Sequence, residues 1–380
     1  MKQLSLKNLD LKNKRVLLRV DFNVPLKEDG TIADDSRIRA ALPTINYILD
    51  QGATLTIMSH LGRPKGEPDP KFSLKPCAKR LSELLRKEVS MDRGKIVMLE
   101  NLRFHKAEKD PDSDPSFAKE LASHGEIFIN DAFGAAHRNH SSIVPICHYF
   151  PGKCAAGFLM EKEIDNLTPL VENPERPFSA ILGGAKIDTK FAILHALQPR
   201  VDHLFVGGGM IFSLMKAMGL SIGNSIYDPT HLELASEFLD EAPNLVLPED
   251  IVIANQFSNG AEVKTVRLKE GVPDGWQGMD IGPKTVAKWQ PILEESHTIF
   301  WNGPMGVFEF PEFAKGTESL AKLLAEMRSI RVVGGGDSIS AISKLNLNEK
   351  FTHISTGGGA SLEFLEKGTL PGIDALSENI

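Results

Sequence analysis

Lys186 and Lys190 stand four apart behind a glycine pair in LGGAKIDTK, residues 182–190. On a helix they share a face, where like charges repel. At a helix start the dipole disfavours cations as well. Two penalties in one place call for a strong anion, and phosphoryl oxygens meet that need. Three glycine triplets follow: FVGGGM at 205–210, VVGGGDS at 332–338 and STGGGAS at 355–361. None fits the G-x-G-x-x-G or G-x-x-x-x-G-K-[ST] patterns. Each follows an apolar run and precedes a helical one. Glycine permits a positive φ and a close ligand approach, and a helix start offers free N–H groups to phosphate.

The residues after the triplets divide the labour. Asp337 and Ser338 follow Gly335 and Gly336. A carboxylate beside phosphates repels them unless Mg²⁺ intervenes, and Mg²⁺ binds one or two carboxylates plus substrate phosphates. A plain helix cap is the other reading of the same two residues. Gly207 and Gly208 precede Met210, Ile211 and Phe212, an apolar end that suits a nucleobase. WNGPMGVFE, 301–309, ends in Glu309, which can reach a ribose or lie in a surface loop.

The first half carries charge where the second carries glycine. Asp21 and Asn23 lie in RVDFNVP, Arg37 and Arg39 in DDSRIR, and His60 and Arg63 in SHLGRP. Arg103 lies in ENLRF, and His137, Arg138 and His140 in NDAFGAAHRNHSS. Arginine forks match phosphate and carboxylate bidentately. Together these residues read as a basic cup for a small polyanion, with Asp21 and Asn23 positioned for its hydroxyl groups. Each arginine taken alone reads more often as a surface ion pair.

These residues need strand ends to hold them. Short apolar runs (15–22, 54–61, 95–102, 126–133, then 178–184, 203–209, 244–254, 298–304, 331–336 and 353–359) alternate with amphipathic stretches such as 37–52 and 73–87. This rhythm predicts an α/β protein with two doubly wound parallel sheets, Rossmann-like, and a cleft between the domains. Ligands then bind at the carboxyl ends of the strands. The expected boundaries are 1–155 for the anion-binding domain, 156–175 for a connecting helix, 176–359 for the nucleotide-binding domain and 360–380 for a last segment. Reaction between the two ligands requires domain closure.

Composition narrows the field. With 380 residues, 42% hydrophobic and 24% charged, the chain is typical of a globular protein of two domains. Residues 1–170 carry a net charge of +3 and residues 171–380 carry −10. That split allows a small anion on the first half but lacks the basic stripe that nucleic acid requires. No apolar run reaches membrane-span length, and the N-terminus lacks a signal-peptide core. Three cysteines without a C-x-x-C pair predict a reducing, cytoplasmic setting.

RVDFNVP, SHLGRP, ENLRF, NDAFGAAHR, GGAK, VGGGM, WNGPMGVFE, GGGDS and STGGGASLE occur in that order across residues 19–363. In this the chain resembles the phosphoglycerate kinases. The resemblance implies reversible, Mg²⁺-dependent phosphoryl transfer from 1,3-bisphosphoglycerate to ADP, giving 3-phosphoglycerate and ATP, by a monomeric cytoplasmic enzyme. It implies that Asp21, Asn23, Arg37, His60, Arg63, Arg103, His137 and Arg138 bind phosphoglycerate. Arg37 and Lys186, with the N–H groups of Gly336 and Gly359, would steady the transferring phosphoryl group. Lys190, Asn302, Pro304, Glu309, Gly335 and Ser338 would meet the nucleotide, Gly207 and Gly208 its adenine, Gly358 its phosphates and Asp337 the metal. The last segment, from about 360, would return to the first domain. Two departures from the family pattern touch only local turns: Lys367–Gly368 is inverted, and Asn139 and Ser141 replace small residues. A kinase acting on a different carboxylate or a hydroxyl acceptor is the competing reading. A hydroxyl acceptor needs a positioned general base, and the sequence offers no convincing one. A nicotinamide dehydrogenase is disfavoured by the missing G-x-G-x-x-G.

Overall fold

The computed structural model describes residues 5–185 and 190–377. The chain divides into two compact units, residues 1–165 with 369–380, and residues 166–368. The helix Phe158–Glu172 runs through the division.

The first unit contains strands β1 (Arg15–Arg19), β2 (Thr54–Met58), β3 (Ile96–Met98), β4 (Ile127–Asn130) and β5 (Cys154–Ala156). They form one sheet in the order β3-β2-β1-β4-β5, with every pair parallel. Parallel strands need crossover connections, which place helices on the sheet faces. The helix Ser36–Asp50 turns Ile38, Ala41, Ile45, Ile48 and Leu49 inward at helical spacing. Lys75–Leu85 does the same with Cys77, Ala78 and Leu81. These residues and the apolar residues of β1 and β2 form the unit's main core.

The second unit begins with β6 (Phe178–Leu182), β7 (His203–Val206) and β8 (Leu245–Val246). Strands β9 (Asp250–Ala254), β10 (Val263–Arg267) and β11 (Gln277–Ile281) then leave the main sheet. The chain re-enters it with β12 (Thr298–Asn302), β13 (Ile330–Gly334) and β14 (His353–Ile354). The main sheet has the order β14-β13-β12-β6-β7-β8 and is parallel. Its order reverses between β6 and β12, and in the first unit between β1 and β4. Such reversals open a crevice at the carboxyl ends of the strands.

Three expectations change. The run 244–254 is two strands, because Pro248 interrupts it and β9 pairs antiparallel with β10 and β11 in a separate three-stranded sheet. The helix described after GGAK begins at Phe191, with Lys190 as its N-cap rather than within its first turn. Lys186 itself lies outside the described residues. The last segment leaves the second unit at Thr369 rather than at about 360. The helix Gly359–Lys367 packs on Phe191–Leu197, and Arg200 donates to the carbonyls of Leu365 and Glu366, the latter at 3.2 Å.

Candidate active site

In the second unit the glycines stand at the carboxyl ends of β6, β7, β12, β13 and β14. Gly183 and Gly303 approach so closely that a Cβ on Gly303 (φ +99°) would lie 2.2 Å from the Gly183 carbonyl oxygen. The Lys190 ammonium occupies the switch point that this leaves. It donates to the Gly183 carbonyl and, at 2.9 Å, to Asn302 Oδ1. Burial pushes the Lys190 ammonium down to about 8, with Asp337 opposing the shift. Asn302 is buried, and its Nδ2 has no hydrogen-bond partner among the described residues.

Gly336 starts the helix Gly336–Lys344, with Gly335 (φ +88°) as its N-cap. Gly359 starts the next, with Gly358 (φ +57°) before it. Both helices present free first-turn N–H groups. Ser338 does not cap its helix. Its hydroxyl accepts from Gly303 N at 2.7 Å and so ties β12 to the helix after β13. Asp337 makes no cap bond and is exposed at that helix start.

Asp337 also edges a cavity of about 690 Å³. Its walls include Gly208, Ile211, Phe212, Pro304 and Glu309. Gly208 (φ +65°) could take no side chain, since a Cβ would lie 2.6 Å from Gly184 N. Apolar walls with the exposed carboxylates of Glu309 and Asp337 at the edge suit a flat base with a polar, charged tail. Gly207 lies deeper, against Met305.

In the first unit the charged residues gather beyond β1. Arg37 pairs with Asp21, and Asn23 Oδ1 accepts from Gly62 N at 2.9 Å. Arg103 donates to the Gly62 carbonyl at 2.7 Å, which holds the turn bearing His60 and the exposed Arg63. Burial lowers the Arg103 guanidinium, and Arg19 and Arg138 are close enough to add to this. Arg138 is exposed beside the half-buried His137. Burial works to raise the Asp21 carboxyl, while the Arg37 and Arg19 guanidiniums and the Asn23 N–H work to lower it.

A family model described as phosphoglycerate kinase matches residues 6–368. The chain belongs to the phosphoglycerate kinase family. It is 48% identical to the phosphoglycerate kinase of Thermosynechococcus vestitus, over 97% of both chains. It is 47% identical to a cytosolic phosphoglycerate kinase of Nicotiana tabacum, over 98% of both. The solved phosphoglycerate kinase of Coxiella burnetii superposes with a TM-score of 0.89 at 39% identity, covering 99% of each chain. That of Pyrococcus horikoshii gives 0.86 at 33% identity, again over 99% of each.

Beneath the basic residues lies a layer that the motif reading of this phosphoglycerate kinase family member passed over. Arg19 and Glu108 are fully buried, 3.8 Å apart. Ser142 bridges them, accepting from Arg19 Nε at 2.9 Å and donating to Glu108 Oε1 at 2.7 Å. Asn101 joins three segments, accepting from Arg103 N at 3.0 Å and donating to the carbonyls of Leu61 and Phe72. An arginine inside the apolar run RVLLRV was the available signal for Arg19, since unpaired charge does not enter a sheet core. Glu108, Ser142 and Asn101 had no such signal.

Proposed function

We propose that this chain catalyses reversible phosphoryl transfer from 1,3-bisphosphoglycerate to ADP, giving 3-phosphoglycerate and ATP. Family membership across residues 6–368 carries the reading. Two features support it: an apolar cavity edged by glycine backbone in one unit, and a set of arginines at the strand ends of the other. Asp21, Asn23, Arg37, His60, Arg63, Arg103, His137 and Arg138 take the phosphoglycerate, whose phosphate and carboxylate match guanidinium forks. Gly207, Gly208 and Pro304 border the adenine, Glu309 takes the ribose, and the N–H groups of Gly335, Gly336, Gly358 and Gly359 face the phosphates. Arg37 and Lys186 steady the moving phosphoryl group. Lys190 exchanges part of its hold on Asn302 for phosphate oxygens, while Ser338 keeps Gly303 in place. We infer that the units close to bring the two ligands into line.

Mg²⁺ fits the donors present. Among the described residues no cluster of three or more His, Cys, Asp or Glu side chains could hold a metal. Asp337 is an exposed carboxylate at the start of a helix on the cavity edge, which suits an ion that takes one or two carboxylates and completes its shell with phosphates and water. The ion would supply charge neutralisation. No general base is required, because the acceptor carboxylate of 3-phosphoglycerate is ionised near neutral pH. No described helix is long and apolar enough to cross a membrane. A cytoplasmic enzyme is the reading that the cytosolic relative and the free cysteines Cys77, Cys147 and Cys154 favour, and the family resemblance adds a monomer.

The test is a coupled assay for ATP formation from ADP and 1,3-bisphosphoglycerate, with and without Mg²⁺. Mg²⁺-dependent ATP formation is expected. Absence of ATP, or equal turnover with unrelated acyl phosphates, overturns the proposal.

A further inference from the structure

Asp280 lies at the end of β11, is only 4% exposed and lines the cavity described above. The β9–β11 register shifts between Gly278 and Asp280, a bulge that re-aims the side chain. Its Oδ2 accepts from Gly316 N at 2.6 Å, in the first turn of the helix Lys315–Glu326. Its Oδ1 accepts from Ile281 N at 2.8 Å. Two glycines make room for it: a Cβ on either Gly306 or Gly316 would lie 2.3 Å from Oδ1. Gly306 belongs to the segment 303–309 that forms one cavity wall and ends in Glu309. A second bond holds the same wall to the same helix, from Met305 N to Thr317 Oγ1 at 2.9 Å.

We propose that Asp280 is a positioning residue for nucleotide binding: it fastens β11, to which the 303–309 wall is bonded through Val307 N and the Met279 carbonyl at 2.9 Å, to the helix Lys315–Glu326, and thereby sets the width of the cavity. This rests on the reading of that cavity as the nucleotide site. An amide could bridge the same elements without titrating. Burial pushes the Asp280 carboxyl up to about 8, with the two N–H groups opposing the shift and the charge of Glu318 adding to it, so ionising the acid here carries a desolvation cost that an amide would not. An acid retained at such a cost is expected where function needs the geometry it holds.

The experiment measures KM for ATP and for 3-phosphoglycerate, kcat, and thermal unfolding at pH 8 for the full chain and Asp280→Asn. An asparagine must turn its NH₂ toward one of the two backbone donors, so the wall loosens. The expected result is a rise of about tenfold in KM for ATP, with KM for 3-phosphoglycerate within about twofold and an unchanged or higher Tm. An unmoved KM for ATP, or a joint rise of both KM values with a lowered Tm, overturns the inference. Should Asp280→Asn not fold, Thr317→Val reads the same wall, and an unchanged KM for ATP there is equally fatal. Ile226→Trp separates the underlying reading, since Ile226 lies on the exposed cavity rim. ATP must alter its fluorescence. If it does not, the cavity is not the nucleotide site; if it does and KM is unmoved, only the role of Asp280 fails.

Discussion

His60 Nδ1 lies 3.2 Å from Nη2 of the fully buried Arg19. A guanidinium has donors only, so Nδ1 must accept and the ring is neutral with its proton on Nε2. Burial drives the His60 imidazole well below its ordinary range, and Arg19 and Arg103 push the same way against Asp21. The 3.9 Å approach of His60 to Asp21 is therefore not an ion pair. NMR of the His60 ring is expected to show the Nε2–H form without titration between about pH 6 and 8. In Arg19→Met the ring should titrate nearer its ordinary value. That variant should also lose about 3–5 kcal/mol of stability, because Glu108 is left as an unpaired buried charge. A wild-type ring that gains a proton near pH 6.5 would refute the assignment.

Arg37 separates function from fold. Its pair with Asp21 is a third exposed on the arginine side, at 33%, so its loss should cost at most about 1 kcal/mol of stability. If Arg37 steadies the moving phosphoryl group, Arg37→Ala should lower kcat by about 10²–10³-fold with an unchanged circular dichroism spectrum. Lys186→Ala carries the same expectation from its motif. Near-normal turnover in either variant removes that residue from the mechanism.

The strands that carry chemistry were legible because parallel strands buried on both faces read as unbroken apolar runs, as FSAIL and TIFWN do. The glycines were legible because close backbone approach at a strand end admits little else, as at Gly183, Gly208 and Gly303. The antiparallel sheet β9–β11 was not, since β10 (VKTVR) is mostly exposed and not an apolar run, and β9 follows β8 after only three residues. Cavity residues such as Ile226, Phe257 and Asp280 stayed hidden for another reason. They come from separate segments, and only tertiary packing brings them to the glycines.

Asp131 gives a pH-dependent stability with a definite sign. It follows β4, and its Oδ1 accepts from Leu159 N at 2.9 Å and Met160 N at 3.1 Å, capping the helix Phe158–Glu172. Burial pushes its carboxyl from 3.8 up to about 6. Between those values the native state keeps a proton that the unfolded chain has released. Its contribution is therefore full below about pH 3.8 and is lost as pH rises through about 6. Asparagine at this position does not titrate. From about pH 4 to 7 the unfolding free energy of Asp131→Asn should improve relative to wild type by about 3 kcal/mol. Parallel denaturant-unfolding curves across that range would contradict this.

Asp337 decides whether the metal is held by protein or only by nucleotide. It is exposed at the start of the helix Gly336–Lys344, and its charge acts on the Lys190 ammonium. Without a cation, a carboxylate there would repel the phosphates that the surrounding N–H groups attract. Asp337→Asn removes both the repulsion and the ligand. If Asp337 holds Mg²⁺, activity in the variant should need about tenfold more free Mg²⁺ to reach half its maximum, while ADP without Mg²⁺ binds the variant more tightly than wild type. Chelation of Mg²⁺ should abolish turnover in both. Titrating activity against free Mg²⁺, and calorimetry of ADP binding in chelator, read the two effects separately. An unchanged Mg²⁺ requirement would leave Asp337 as a helix-start carboxylate with no part in metal binding.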